Sequence, residues 1–117
     1  MPKQRRRGWG AAIKTAYNGV LYDSKAEASY ARRLDELVDA GEVSHWDRQR
    51  RWPLVVNGVK VCVMVPDFVV WYEDGDDMRM ELHEVKGFQT PVYRLKRKLF
   101  EALHPEVIYL VIPAKEV

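Results

Sequence analysis

A chain of 117 residues is long enough for one domain with one hydrophobic core and too short for two. Its hydrophobic content of 47% fits a globular protein, and no apolar run approaches the roughly 20 residues that span a bilayer. The net charge is only +2, and the single Cys62 excludes an internal disulfide and favours a reducing, cytoplasmic location.

Positive charge is concentrated in two segments without acidic residues, one over residues 1–20 and one over residues 85–98. Such segregated charge suits a polyanion such as DNA, although a solvated helix face and a disordered tail explain it equally well. Trp9 lies among arginines, where an aromatic side chain can stack on exposed bases. The DNA contacts predicted from the two segments are Arg5, Arg6, Arg7, Trp9, Lys14, Arg94, Lys96, Arg97 and Lys98.

The domain is predicted to begin after the first basic segment. Residues 1–16 lack hydrophobic periodicity and are predicted to form a flexible basic arm, which precedes a single domain over residues 17–117. Asn18 and Gly19 then predict a turn before a short strand over residues 20–22.

The first helix is predicted to run from its N-cap, Ser24, to about Ala40, where Gly41 favours a left-handed stop. Glu27 falls on the apolar stripe of this helix, next to Tyr30. Two interpretations remain open. Ser24 and Glu27 have the spacing of a capping box, and Glu27 alternatively faces the sheet as a site residue.

Three strands are predicted in the middle of the chain. Asn57-Gly58 predicts a hairpin between strands over residues 52–56 and 59–64. Pro66 marks a break or bulge in the second of these strands, which continues over the stretch "DFVVWY". The third strand of the meander covers residues 80–86. Arg48, Arg50 and Arg51 precede the meander and are further predicted phosphate contacts.

A second helix and a last strand complete the predicted fold. Thr90 and Pro91 predict an N-cap and first turn for a helix over about residues 92–103. Its predicted apolar arc consists of Val92, Leu95, Leu99 and Leu103, with Tyr93 and Phe100 on its border. Lys96 lies inside this arc, and it either extends to water or reaches a polar cluster. The apolar stretch 107–112 predicts a central strand, which gives an α/β fold with one mixed sheet and helices packed on it.

Charged residues occupy positions in two of these strands where core residues are expected. Alternation places Glu84 and Lys86 on one face of their strand, and Asp67 begins the neighbouring strand. If the strands are antiparallel neighbours, Asp67 and Glu84 approach each other near one edge of the sheet. Two close carboxylates repel unless a cation lies between them, and oxygen ligands suit Mg²⁺ or Mn²⁺.

Pro66-Asp67, followed after sixteen residues by Glu84-Val85-Lys86, resembles the signature of the PD-(D/E)XK nuclease superfamily. Glu27 is similar to the additional acidic motif on the first helix of that superfamily. The stretches "YDSKAEASYARRL", "PDF" and "EVKG" most resemble small phage endonucleases related to endonuclease I and Holliday junction resolvases. The resemblance covers roughly residues 17–112.

The resemblance implies a restriction-endonuclease-like αβββαβ core and a metal-dependent DNA endonuclease. It implies that Asp67, Glu84 and the main-chain carbonyl of Val85 bind Mg²⁺ or Mn²⁺, with Glu27 acting directly or through water. Lys86 would lie beside the scissile phosphate and act by positioning and electrostatics. Branched DNA such as a Holliday junction is the implied substrate, and a homodimer is the implied assembly.

Two alternatives remain open. The first is a non-catalytic nucleic-acid-binding module on the same fold, in which the acids serve as caps and ion-pair partners. The second keeps the nuclease chemistry but changes the substrate, as in nicking, single-strand or flap cleavage.

Overall fold

The computed structural model describes residues 13–117, which form a mixed α/β fold of two helices and eight strands. The helices are α1 (Lys25–Asp39) and α2 (Pro91–Leu103). The strands are β1 (Thr15–Tyr17), β2 (Val20–Tyr22), β3 (His45–Arg48), β4 (Trp52–Val56), β5 (Val59–Met64), β6 (Phe68–Asp74), β7 (Asp77–Lys86) and β8 (Ile108–Pro113). Neither helix in this part of the chain is long and apolar enough to cross a membrane.

The main sheet of the described residues has four strands in the order β3-β6-β7-β8. The β3–β6 and β6–β7 pairs are antiparallel, and β7 and β8 are parallel. Because parallel neighbours need a crossover connection, α2 leads the chain from the end of β7 back to the start of β8. The predicted mixed sheet with packed helices is therefore confirmed.

Local signals fixed the ends of the helices as predicted. The Ser24 hydroxyl accepts a hydrogen bond from the amide of Glu27, and Gly41 follows α1 with φ of 81°. The Thr90 hydroxyl accepts from the amide of Tyr93 at the start of α2, whose first residue is Pro91. These caps satisfy amide groups that a helix leaves free in its first turn.

The boundary of the basic arm needs correction. Thr15 and Ala16 pair with β2, so the ordered domain begins inside the predicted arm of residues 1–16. The rest of the arm, from residue 1 to residue 12, lies outside the described residues.

The β4–β5 hairpin has its predicted boundaries, but it is not part of the main sheet. It forms a separate two-stranded sheet, and β3, which the sequence analysis missed, pairs with β6 instead. Pro53 gives a physical reason, because proline has no amide to donate within an inner strand. β3 was missed because its four residues, "HWDR", have no apolar alternation strong enough to identify a strand.

The last strand was predicted to be central, and this prediction was wrong. Among the described residues, β8 pairs only with β7 and is an edge strand of the sheet. Its apolar run reflects side chains on both faces of the strand, which is a separate property from having neighbours on both edges. Tyr109 is buried against α2, whereas Ile108 and Leu110 are exposed.

The main sheet separates two apolar cores. On one side, Ala31 and Leu34 of α1 pack with Phe68 and Val70. On the other side, α2 and the β4–β5 hairpin cover the sheet, and the fully buried residues there are Leu54, Val69, Leu82 and Phe100.

The orientation of α2 differs from the predicted apolar arc. Tyr93 and Phe100, placed at the border of the arc, are buried, whereas Val92 and Leu95 are 65% and 68% exposed. The ring of Phe100 contacts Trp52 edge-on, with 5.6 Å between ring centroids. The helix therefore turns its aromatic side chains toward the core, which a pattern of apolar spacing alone does not distinguish from turning its aliphatic ones.

This orientation predicts unequal costs for two truncations on the same helix. Phe100→Ala should lower the free energy of unfolding by about 3–5 kcal/mol, because it leaves a cavity in the core. Leu95→Ala should change it by no more than about 0.5 kcal/mol, because that side chain is exposed. Urea denaturation of both variants measures the difference, and equal losses would contradict the observed orientation of α2.

Candidate active site

Two acidic side chains meet where β6 begins and β7 ends. Phe68 pairs with His83 in the antiparallel ladder, so continuing this register by one residue places Asp67 opposite Glu84. Asp67 Oδ2 accepts a hydrogen bond of 2.8 Å from the amide of Val85. The two carboxylates therefore lie at one end of the inner strands β6 and β7, which is the edge of the sheet where the strand order predicts them.

Burial and mutual repulsion raise the proton affinity of these carboxylates. Burial raises the pKa of Asp67 to about 7, with the negative charge of Glu84 as the second cause. Burial also raises the pKa of Glu84. The Val85 amide and the Lys86 ammonium act in the opposite direction on Asp67, but they do not compensate.

Glu27 is the third carboxylate at this edge. Burial raises its pKa to about 7, and the charge of Asp67 is the next cause. Its amide donates to Ser24 Oγ at 3.1 Å, and its carboxylate accepts from the Ser24 hydroxyl at 3.4 Å. The capping interpretation of Glu27 is therefore confirmed in part, since its carboxylate bonds to the Ser24 hydroxyl rather than to the Ser24 amide of a full capping box. Its role as a site residue stays a prediction.

Lys86 is held beside Glu84 by two contacts. Its Nζ lies 3.9 Å from Glu84 Oε2 and 4.3 Å from the centroid of the Tyr93 ring. A cation over the face of a ring is attracted by the negative potential of that face. The Lys86 side chain is half-buried, and its contact with the Tyr93 ring restricts the position of the ammonium group.

Glu84 is anchored by two tyrosines that the sequence analysis missed. The Tyr109 hydroxyl donates to Glu84 Oε1 at 3.0 Å, and the Tyr93 hydroxyl lies 3.2 Å from that of Tyr109. Since Tyr109 donates to the carboxylate, Tyr93 supplies the proton between the two hydroxyls. A tyrosine within the otherwise aliphatic stretch "VIYLVI" was the available signal, because a buried hydroxyl needs a partner.

Arg48 and Gln49 support the opposite side of the acidic cluster. The Arg48 guanidinium lies over the Tyr22 ring at 4.4 Å, and its charge lowers the pKa of Glu27 against the larger effect of burial. Within residues 13–117, Arg48 Nε is buried without a hydrogen-bond partner. Gln49 has φ of 54°, and its main-chain N–H donates a hydrogen bond of 3.2 Å to the main-chain carbonyl of Asp67. A left-handed non-glycine residue is uncommon, and here it connects the end of β3 to Asp67.

The side chains at this edge are of the chemical type that binds a hard divalent cation. Three carboxylates offer oxygen ligands, which Mg²⁺ and Mn²⁺ prefer. The N–H and C=O of one residue in an extended strand point to the same side, so the Val85 carbonyl is directed toward Asp67. As placed within residues 13–117, however, no group of three or more His, Cys, Asp or Glu side chains could hold a metal ion.

A pocket of about 300 Å³ adjoins Glu84 and Lys86. Val92 and Lys96 of α2 form part of its wall. Lys96 Nζ donates to the carbonyl of Val63 at 3.2 Å. Lys96 therefore lines the pocket beside Glu84 and Lys86, and its hydrogen bond goes to a main-chain carbonyl of β5 rather than to a carboxylate.

The remaining predicted DNA contacts are distributed over several surfaces. Lys14 forms an exposed ion pair of 3.0 Å with Asp23, and Arg97 pairs with Glu101. The other predicted DNA contacts that are exposed are Arg50, Arg51, Arg94 and Lys98. Arg5, Arg6, Arg7 and Trp9 lie outside the described residues.

The raised pKa of Asp67 predicts how stability depends on pH without divalent ions. The folded chain retains a proton up to about pH 7 that the unfolded chain releases near 3.8, so stability falls as pH rises through this interval. Asp67→Asn removes this effect. In EDTA at pH 8, the variant should melt several degrees above the wild type, with the difference shrinking toward pH 4. Asp76→Asn, in the exposed turn before β7, is the matched control; a melting difference independent of pH would contradict the prediction.

Comparison with known proteins gives one match. A family model described as "Protein of unknown function (DUF1064)" matches residues 7–115. No curated protein and no solved structure matches the chain.

Proposed function

We propose that this chain, which belongs to the DUF1064 family, is a metal-dependent DNA endonuclease that hydrolyses phosphodiester bonds. The observation that carries the proposal is the meeting of Asp67, Glu84 and Glu27 at one edge of the sheet, with Lys86 beside them. The proposed fold is the αβββαβ core of the PD-(D/E)XK superfamily, with α1, the main-sheet strands β3, β6 and β7, α2 and β8 as its elements.

The cost of the acidic cluster supports an enzyme over a binding module. Each of these carboxylates has a raised pKa because it is removed from water near other negative charges. A protein that only binds DNA gains nothing from carboxylates that repel phosphates. A nuclease needs them, because a divalent cation must be held against the phosphate that is cut.

Asp67, Glu84 and the Val85 carbonyl would hold Mg²⁺ or Mn²⁺, and Glu27 would act directly or through a water molecule. A bound ion of this kind supplies charge neutralisation of the phosphate and a more acidic water. Tyr109 holds the Glu84 carboxylate in one orientation through its 3.0 Å hydrogen bond. Lys86, fixed over the Tyr93 ring, places its positive charge where a phosphate oxygen would approach.

Branched DNA, such as a Holliday junction, is the proposed substrate, and a homodimer is the proposed assembly. Both follow from the resemblance to junction-cleaving phage endonucleases. A two-fold symmetric pair of active sites would allow both strands of a junction to be cut. The cations of α2 and those between β3 and β4 would contact the phosphates that position the DNA.

The test is cleavage of a panel of paired, single-stranded, flap and four-way DNA with Mg²⁺ or Mn²⁺. Asp67→Asn and Glu84→Gln should each reduce the cleavage rate by about 100-fold or more, because each removes a metal ligand. Binding of the same DNA in EDTA should persist. Asp76→Asn preserves the type of substitution at an exposed turn and should cleave like the wild type.

Thermal unfolding gives a readout that does not depend on finding the right DNA. At ten times its dissociation constant, Mn²⁺ should stabilise the wild type by about 1.4 kcal/mol and should leave Asp67→Asn nearly unchanged. A wild-type protein that binds DNA but neither cleaves any substrate nor responds to Mn²⁺ would establish the binding module instead.

A further inference from the structure

We propose that Phe88, together with Val92 and Leu95 of α2, forms a stacking surface that takes an unpaired base of a DNA strand beside the active site. This inference rests on the proposed nuclease function and specifies its substrate as DNA with at least one unstacked base.

Within residues 13–117, the three side chains are among the four most exposed large apolar side chains. Phe88 is 76% exposed, and it lies two residues after Lys86 in the loop that leads to α2. Val92 and Leu95 are three residues apart on one side of the helix, with their side chains turned away from the core. Exposed large apolar groups close to one another in a chain indicate a contact surface rather than a packing requirement.

The charges around this surface identify the type of partner. Arg94 and Lys98 are exposed on α2, and Lys96 and Lys86 line the adjoining pocket. A partner that satisfies both the cations and the apolar groups needs negative charge next to a flat apolar face. An unstacked nucleotide has both, in its phosphate and its base. A second copy of α2 placed face to face would bring like charges together.

The surface is continuous with the proposed catalytic groups. Val92 and Lys96 share the 300 Å³ pocket with Glu84 and Lys86. Leu95 borders a second pocket together with Arg94, Lys98 and the Arg97–Glu101 ion pair. A strand whose phosphate lies at Lys86 would therefore have its neighbouring nucleotides at the apolar face of α2.

Stacking makes the preference selective for unpaired bases. In a continuous duplex the faces of the bases are covered by their neighbours, so Phe88 has nothing to stack on. At a gap, a bulge or a junction centre a face is free, and one aromatic stack changes affinity roughly tenfold. Phe88 thus distinguishes DNA with an unpaired base from continuous duplex, whereas the cations bind any phosphate backbone.

The experiment measures binding of the full chain in EDTA, so that no cleavage is required. Two DNAs of equal length are compared by fluorescence anisotropy. One is fully paired, and the other has a three-nucleotide gap with 2-aminopurine among the unpaired bases opposite the gap. Phe88→Ala should reduce the preference for gapped over paired DNA roughly tenfold, and Phe88→Trp should retain it. Val59→Ala, which truncates a 63% exposed side chain on the β4–β5 hairpin, is the matched control.

Quenching of 2-aminopurine by the wild type and by Phe88→Trp, but not by Phe88→Ala, is the expected direct signature of stacking. The inference is overturned if the wild type shows no preference for the gap, or if Phe88→Ala keeps it. It is also overturned if Phe88→Ala instead converts a dimer to a monomer in sedimentation, because the surface would then be a contact between copies. Phe88-dependent binding without any metal-dependent cleavage would reject the proposed nuclease and leave this surface in place.

Discussion

The hydrogen bond from the Val85 amide to Asp67 is the contact on which the arrangement of the site depends. It forms because β6 starts one residue after Asp67, so the Val85 amide has no strand partner on that side and donates to the Asp67 carboxylate instead. The Asp67 carbonyl is bonded in turn by Gln49, so both ends of the residue are fixed. With Asp67 held, Glu84 and Glu27 are buried beside it, and burial, followed by the repulsion between the carboxylates, raises the pKa values of the group. Main-chain hydrogen bonds to Asp67 therefore hold the carboxylates together although they repel one another.

The strand β7 carries buried polar groups on both of its faces. Glu84 faces α2 and bonds to Tyr109, whereas His83 faces α1, with Nδ1 2.7 Å from the Tyr30 hydroxyl. His83 Nε2 lies 3.0 Å from Glu81, so a neutral ring donates to the carboxylate and accepts from the tyrosine. Burial lowers the pKa of His83, consistent with that neutral form. Both helices are thus connected to the same strand by polar contacts as well as by apolar packing.

Features controlled by a few neighbouring residues could be predicted from the sequence. The Asn57-Gly58 hairpin, the Ser24 and Thr90 caps and the proline at the start of α2 were correct because each depends on local backbone chemistry. Features decided by distant partners could not be. The pairing of β3 with β6, the edge position of β8 and the rotation of α2 around its axis all depend on which surfaces are already covered. The same division holds in the site: strand alternation placed Asp67 and Glu84, but Tyr109 and Gln49 act through contacts that no local pattern encodes.

The alternation of β7 has a consequence for folding. A shift of its pairing by a single position would exchange the two faces, sending His83 toward α2 and Glu84 into the aromatic layer beneath α1, where Phe68 and Tyr30 pack. Each side chain would lose its hydrogen-bond partner while staying buried, and an uncompensated charge in such a place is costly. The residues that form the candidate site therefore also favour the native register of β7, because a shifted register has a higher free energy.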